Sequence, residues 1–261
     1  MTSNDRYSSD EVVYTTITYG AVDAIATITL NRPHARNGFT LAMADELGAA
    51  LTAADRDAAV RVIVVAAAGD YFCVGMDLEE SALDDFTDPE WVEPATRVAR
   101  PMTNSNKPIV VAIQGPAVGV GISMTLAADF RLASDRAKFG FVFGRRGLFP
   151  EGGSTWFLPQ LVGLAKAKEW MLTGRVFTAA EALAAGLVTS LHAPADLLPA
   201  AYALARDLAD NVAPGSAAVI RRALVAMAAQ GSPEAAFARP PRFRGVAARD
   251  LPDLDEWLSG R

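Results

Sequence analysis

One cysteine, Cys73, and two histidines, His34 and His192, among 261 residues exclude an internal disulfide and a multi-thiolate metal site, and leave little imidazole for any metal. Positive charge is not in excess either. With 24 Lys and Arg against 30 Asp and Glu, the formal net charge is −6. Such a chain has no electrostatic reason to approach a polyanion, because nucleic-acid affinity rests on cations that neutralise phosphates. Arg145-Arg146, Arg239 and Arg242 are the local basic spots. The opening residues, Met1-Thr2-Ser3-Asn4-Asp5-Arg6, have no basic segment leading into an apolar one, so they do not read as a secretory leader. The most apolar stretch, residues 108–128, is broken by Gln114-Gly115-Pro116, which would leave backbone groups unsatisfied in lipid. These absences predict a cytoplasmic protein with no nucleic-acid, membrane or metal partner.

What is present is apolar and regularly patterned. Hydrophobic residues make up 51% of the chain and charged residues 21%, enough to bury a sizeable core. Residues 12–19 and 24–30, rich in Val, Ile, Thr and Tyr, read as a hairpin turning near Gly20. Thr40 can cap a helix over 41–58, where Met43, Leu47, Ala50 and Leu51 repeat on one face. Residues 60–67 and 109–113 are continuous apolar runs, as expected of strands covered on both sides. A helix over 118–128, a strand over 130–133 and one or two helices over 155–172, divided near Gly163, continue the alternation. Strands alternating with helices point to a parallel sheet. A helix over 179–185, a strand over 187–191 and helices over 194–209 and 215–229 follow. Residues 1–192 thus read as the core unit and 193–261 as a helical C-terminal region. Its tail after Arg239 is either a loose arm or a segment packed on a neighbouring subunit.

Two glycine-bearing turns follow buried strands: Tyr71-Phe72-Cys73-Val74-Gly75-Met76-Asp77-Leu78 and Gln114-Gly115-Pro116-Ala117-Val118-Gly119-Val120-Gly121. Turns of this kind can aim backbone N–H groups at a developing oxyanion, or can simply permit tight packing. In the second, the Val120 N–H would sit at the positive end of a helix. Other uses of these glycines fail. A third glycine in the dinucleotide-binding register is missing, and no Gly-x-x-x-x-Gly-Lys occurs. Gly121-Ile122-Ser123 lacks the closing glycine of a nucleophile elbow. Downstream, Pro150-Glu151-Gly152-Gly153 carries one carboxylate that is either a base for an acyl substrate or a helix N-terminal acid. Cys73, among apolar neighbours, reads as a small buried hydrophobe, and Asp77 as a helix cap. Trp156 and Phe157 read as core.

Over residues 12–229 the chain resembles the crotonase, or enoyl-CoA hydratase/isomerase, superfamily. The resemblance is carried by Leu30-Asn31-Arg32-Pro33 with Asn37, by the two glycine-bearing turns, by Ala127-Ala128-Asp129-Phe130-Arg131, and by Phe177-Thr178-Ala179-Ala180-Glu181-Ala182 leading into Gly186-Leu187-Val188. It implies an α/β fold, a spiral of β-β-α turns whose helical C-terminal region builds trimers, often paired into hexamers. It also implies an acyl-CoA thioester as substrate, coenzyme A being part of that substrate and no separate cofactor.

By the same resemblance the thioester oxygen lies between the N–H groups of Met76 and Val120, the latter at a position where relatives usually carry glycine. Ala35, Arg36, Val74, Asp77, Gly119 and Phe143 fall where relatives line the substrate and CoA, with Arg36 either meeting a phosphate or standing as a solvated surface charge. The two glutamates of typical hydratases fall on Ser123 and Phe143, which cannot exchange a proton near neutral pH. Glu151 instead matches the single glutamate of certain Δ3,Δ2-enoyl-CoA isomerases, and Phe143 and Phe149 are candidates for an apolar wall that raises its pKa. The reaction implied is a double-bond shift through Glu151. The alternatives are a hydratase with a non-standard site and an acyl-CoA-binding scaffold without turnover.

Overall fold

The computed structural model describes residues 13–77 and 93–230. The tail after Arg239 and the start of the chain lie outside them. Five parallel strands form the centre of the molecule: β2 (Ile25–Leu30), β3 (Val62–Ala67), β4 (Ile109–Ile113), β6 (Phe130–Ser134) and β9 (Ser190–His192), side by side in that order. An antiparallel edge strand, β1 (Ile17–Val22), completes a six-stranded sheet. The hairpin turns later than its glycine suggested. Gly20 sits inside β1, and the turn is made by Asp23 and Ala24, both with positive φ.

The unbroken apolar runs of β3 and β4 follow from burial on both faces. Ile63, Val65, Ile109, Val111 and Ile113 point into the larger core. Their sequence neighbours Val62, Val64, Val110 and Ala112 point the other way, into a second core closed by α7 (Leu197–Asn211). That helix buries Leu197, Ala201, Ala205 and Ala209 at every fourth position. Such a stripe, mostly of alanines, lets its backbone lie close on the sheet. Each large aliphatic side chain buried this way is worth ~1.5–3 kcal/mol, and together they fix the sheet between its two layers.

On the other side, α1 (Leu41–Arg56) starts where expected, the Thr40 hydroxyl accepting from the Met43 N–H at 3.1 Å. It packs against α2 (Pro94–Asn104), a helix the sequence pattern did not mark out. The helix expected over 118–128 is far shorter. A two-residue strand, β5 (Ala117–Val118), is followed by a single turn, α3 (Val120–Ser123). β5 joins β7 (Lys138–Gly140) and β8 (Val176–Thr178) in a small second sheet. The helical stretch around Gly163 is two helices, α4 (Ser154–Val162) and α5 (Leu164–Thr173), because Gly163 takes φ +77°. The short α6 (Ala179–Ala184) and the last helix, α8 (Pro214–Gln230), complete the order. No helix among the described residues is long and apolar enough to cross a membrane.

Candidate active site

The two glycine-bearing turns lie against each other at the ends of β3 and β4. Cys73 and Ala117 form a parallel bridge: the Cys73 N–H donates to the Pro116 carbonyl at 3.1 Å, and the Val118 N–H donates to the Cys73 carbonyl at 3.0 Å. Met76 is bridged in the same way to Phe39, through Phe39 N–H to Gly75 O at 2.8 Å and Asp77 N–H to Phe39 O at 2.9 Å. Among the described residues, neither the Met76 N–H nor the Val120 N–H donates to a backbone carbonyl. Two backbone donors on adjoining turns are thereby left for something other than the protein's own ladder. Because α3 is one turn long, the helix dipole expected behind Val120 is small, and the local N–H is what remains.

Close approach of the turns depends on the absence of side chains at several points, Gly121 and Gly75 among them. A Cβ at Gly121 would lie 2.1 Å from the Cys73 carbonyl oxygen, and one at Gly75, whose φ is +107°, would lie 3.2 Å from the Val118 oxygen. Side-chain amides hold the entry to the first turn. Gln114 Nε2 donates to the carbonyls of Ala67, Gly69 and Tyr71 at 3.0–3.1 Å. Asn37 Nδ2 donates to Ala68 O and Tyr71 O at 2.9 and 2.8 Å, while its Oδ1 accepts from the Arg32 N–H at 2.8 Å. Asn37 can do this because it takes the left-handed conformation, φ +51°, that its short amide tolerates.

Glu151 sits on the loop between the 3-10 turn Phe143–Arg146 and α4, with its carbonyl accepting from the Ser154 N–H at 3.0 Å. It is partly buried, and burial, reinforced by the like charge of Glu93, pushes its carboxyl up to about 7. A group poised there can both take and return a proton near neutral pH. The loop also brings it to the first turn. The Cys73 thiol, fully buried, is pushed up to about 12 mainly by burial, and the charge of Glu151 contributes to that rise. Cys73 is thus the inert hydrophobe its neighbours suggested.

The remaining sequence-derived candidates fall in different places. Phe143 is buried, but Phe149 is 87% exposed and forms no wall among the described residues. Burial and Glu93, not Phe149, account for the raised carboxyl. Ser123 is buried, its hydroxyl facing the Val120 carbonyl at 3.5 Å. Gly119, at φ +58°, precedes α3, and Val74 is half-buried within the first turn. Ala35 lies in the 3-10 turn Pro33–Ala35, followed by the exposed Arg36 with its guanidinium 5.5 Å from the Tyr71 ring centre. The helix that Asp77 was expected to cap lies outside the described residues. Asp77 Oδ2 is instead 3.0 Å from Arg32 Nη1, which also donates to the Gly38 carbonyl at 2.6 Å. Trp156 and Phe157 meet edge to face and are half-buried, Phe157 packing against the larger core. Among the described residues no group of three or more His, Cys, Asp or Glu could hold a metal ion.

Glu93 and Ser154 escaped the sequence reading. Glu93 immediately precedes α2, and its Oε1 accepts from the Gly152 N–H at 2.5 Å, next to Glu151 in the chain. The Ser154 hydroxyl is buried with no hydrogen-bond partner among the described residues.

A sequence profile of the family described as enoyl-CoA hydratase/isomerase matches residues 20–240. An enoyl-CoA hydratase of Alternaria alternata is 38% identical over 191 residues, 72% of this chain and 64% of that protein. This chain therefore spans a little under two thirds of the length of that relative. The 1,2-epoxyphenylacetyl-CoA isomerase of Escherichia coli K12 is 33% identical over 190 residues, 71% of this chain and 72% of its own. The crystal structure of a probable enoyl-CoA hydratase/isomerase from Mycobacterium abscessus superposes with a TM-score of 0.84 at 33% identity, over 94% of this chain and 96% of that one.

Proposed function

The chain belongs to the enoyl-CoA hydratase/isomerase family, and from that premise we propose that it moves a double bond in an acyl-CoA thioester, 3-enoyl to 2-enoyl, with Glu151 as its only acid/base group. The observation that carries this reading is the pairing of one carboxyl, pushed up to about 7, with two turns whose Met76 and Val120 N–H groups have no backbone partner among the described residues. Ser123 and Phe143, where a hydratase of this family would place its two glutamates, supply no carboxylate.

In the proposed reaction the Glu151 carboxylate takes a proton from C2, and the electron pair moves into a dienolate whose oxygen is held by the two N–H groups. Preorganised donors of this kind stabilise the charge as it develops. Glu151, now protonated, returns the proton to C4, leaving the double bond between C2 and C3. One carboxyl completes the cycle because the proton that leaves is the proton that comes back.

Ala35, Val74, Gly119 and Phe143 surround the thioester in this reading, and Arg36 meets a CoA phosphate. Asp77 contributes by holding Arg32 against the Gly38 carbonyl rather than by touching the reacting atoms.

Conjugated-thioester absorbance tests the reaction. The expected result is a rise with a 3-enoyl-CoA and no fall with a 2-enoyl-CoA. A fall with the latter means hydration and overturns the one-carboxyl scheme, and silence with both favours another acyl substrate or a binding role.

Leu164, Leu172, Val176 and Leu183 on α5, β8 and α6, with Ile220 and Leu224 on α8, are large apolar side chains left exposed in one chain. We read them as subunit contacts of a trimer or a pair of trimers. Light scattering is expected to give three or six times the mass of one chain, and a monomer overturns the assembly.

A further inference from the structure

We propose that Glu93, at the start of α2, is the positioning residue of this site, its carboxylate fixing the loop that carries Glu151 by accepting the Gly152 N–H. This rests on the reading of Glu151 as the acid/base group.

Among the described residues the loop has little else to hold it there. Gly152 and Gly153 both take left-handed conformations, φ +63° and +67°, and α4 begins at Gly153 with no side-chain cap. Two successive glycines and an uncapped helix start leave a segment with many accessible conformations unless something outside it restrains the chain. The restraint comes from α2. Glu93 Oε1 accepts from Gly152 N–H at 2.5 Å and also from the Thr96 hydroxyl, which fixes the carboxylate's orientation. Packing adds to the bond, since a Cβ at Gly152 would lie 3.1 Å from the Ala95 Cβ. Glu93 does not cap its own helix. Pro94, at the first helical position, has no N–H to offer, and the carboxylate is directed across to the loop instead.

The same carboxylate acts on Glu151 through charge. Two titratable groups face Glu151 among the described residues: Glu93 from the α2 side, and the Cys73 thiol, neutral until about pH 12, from the first turn. The like charge of Glu93 adds to burial in holding the Glu151 carboxyl up near 7. One residue therefore places the base and helps set the pH at which it works.

The two roles separate experimentally. Glu93→Gln keeps an acceptor for the Gly152 N–H and removes the charge, whereas Glu93→Ala removes both. In the pH dependence of kcat/KM, the acidic limb of Glu93→Gln is expected at lower pH than that of the unaltered protein. Its plateau kcat is expected to exceed that of Glu93→Ala by ~10-fold or more, because loss of positioning costs up to ~10²-fold. An unmoved acidic limb, or equal plateaus for the two variants, overturns the proposal. Glu151→Gln run in parallel keeps the two readings apart. If it remains fully active, the acid/base assignment itself is wrong; if it is inactive and the limb of Glu93→Gln has not moved, only the role of Glu93 fails. A readout without turnover covers the case of an untested substrate. The stability gain of Glu151→Gln over its parent at pH 8 is expected to be smaller in a Glu93→Gln background, and an undiminished gain overturns the proposal.

Discussion

Glu151→Gln is expected to lower turnover by ~10²–10⁴-fold while leaving acyl-CoA binding in place, the range that positioned acid/base groups contribute. The same substitution is expected to make the protein more stable at alkaline pH. The ordinary value for this carboxyl is 4.5, and in the folded protein it is pushed up to about 7, by burial first and by Glu93 second. Between those values the folded chain holds more protons than the unfolded one. Stability therefore falls as pH rises through that window, and the full cost is present above about pH 7. Allowing for the partial exposure of the group, the cost is about 2–3 kcal/mol. Urea denaturation is expected to show Glu151→Gln more stable by that amount at pH 8, with the difference shrinking toward pH 4.5. The opposing signs matter, because a residue retained only for structure would not lower stability by being charged. Equal stability of the two proteins at every pH would mean that Glu151 is not held in a desolvated place.

The second large effect concerns Gly121. An alanine there puts its Cβ 2.1 Å from the Cys73 carbonyl oxygen and 2.9 Å from the Cys73 Cβ, so one of the two turns has to move. The displaced oxygen is also the acceptor of the Val118 N–H, and the disturbance reaches both proposed donors at once. The expected outcome of Gly121→Ala is a loss of ~10²–10³ in kcat, comparable to deleting one oxyanion donor. A stability cost of about 1–3 kcal/mol from overpacking accompanies it. Gly20→Ala is the control: no heavy atom lies within 4 Å of its Cβ, and activity should not change. If Gly121→Ala folds and turns over normally, the two turns do not act as one device.

The sequence was most readable where one physical cause dominated. β4 spans the residues its apolar run marked out, because both faces are buried, and Thr40 caps α1 because its hydroxyl accepts the otherwise unpaired Met43 N–H of the first turn. The helix break at Gly163 is equally local. α2 was missed although Ala95, Val98, Ala99 and Met102 keep helical spacing, since Pro94, Pro101, Arg97 and Arg100 disguise it. Pro94 is harmless at a first helical position, where no N–H is required, but Pro101 lies inside the helix. With α2 hidden, Glu93 could not be connected to a loop 59 residues further along. The helix after Gly119 was overextended because apolar residues over 120–128 serve a series of tight turns. These are closed in part by the buried Arg131 guanidinium, which donates to the Thr125 and Ala128 carbonyls. Glu151 stood out by its isolation from other carboxylates in sequence; the neighbour that tunes it did not.

The bridge between Cys73 and Ala117 has a wider consequence. The part of the site proposed to hold negative charge is made of peptide groups, so its chemistry is independent of the side chains at positions 76 and 120 provided the chain path is kept. Proton transfer in the proposed reaction, by contrast, rests on one side chain, that of Glu151. On the proposed reading, a carboxylate relocated among positions such as 123, 143 and 151 would alter the reaction while the peptide-built half kept its shape.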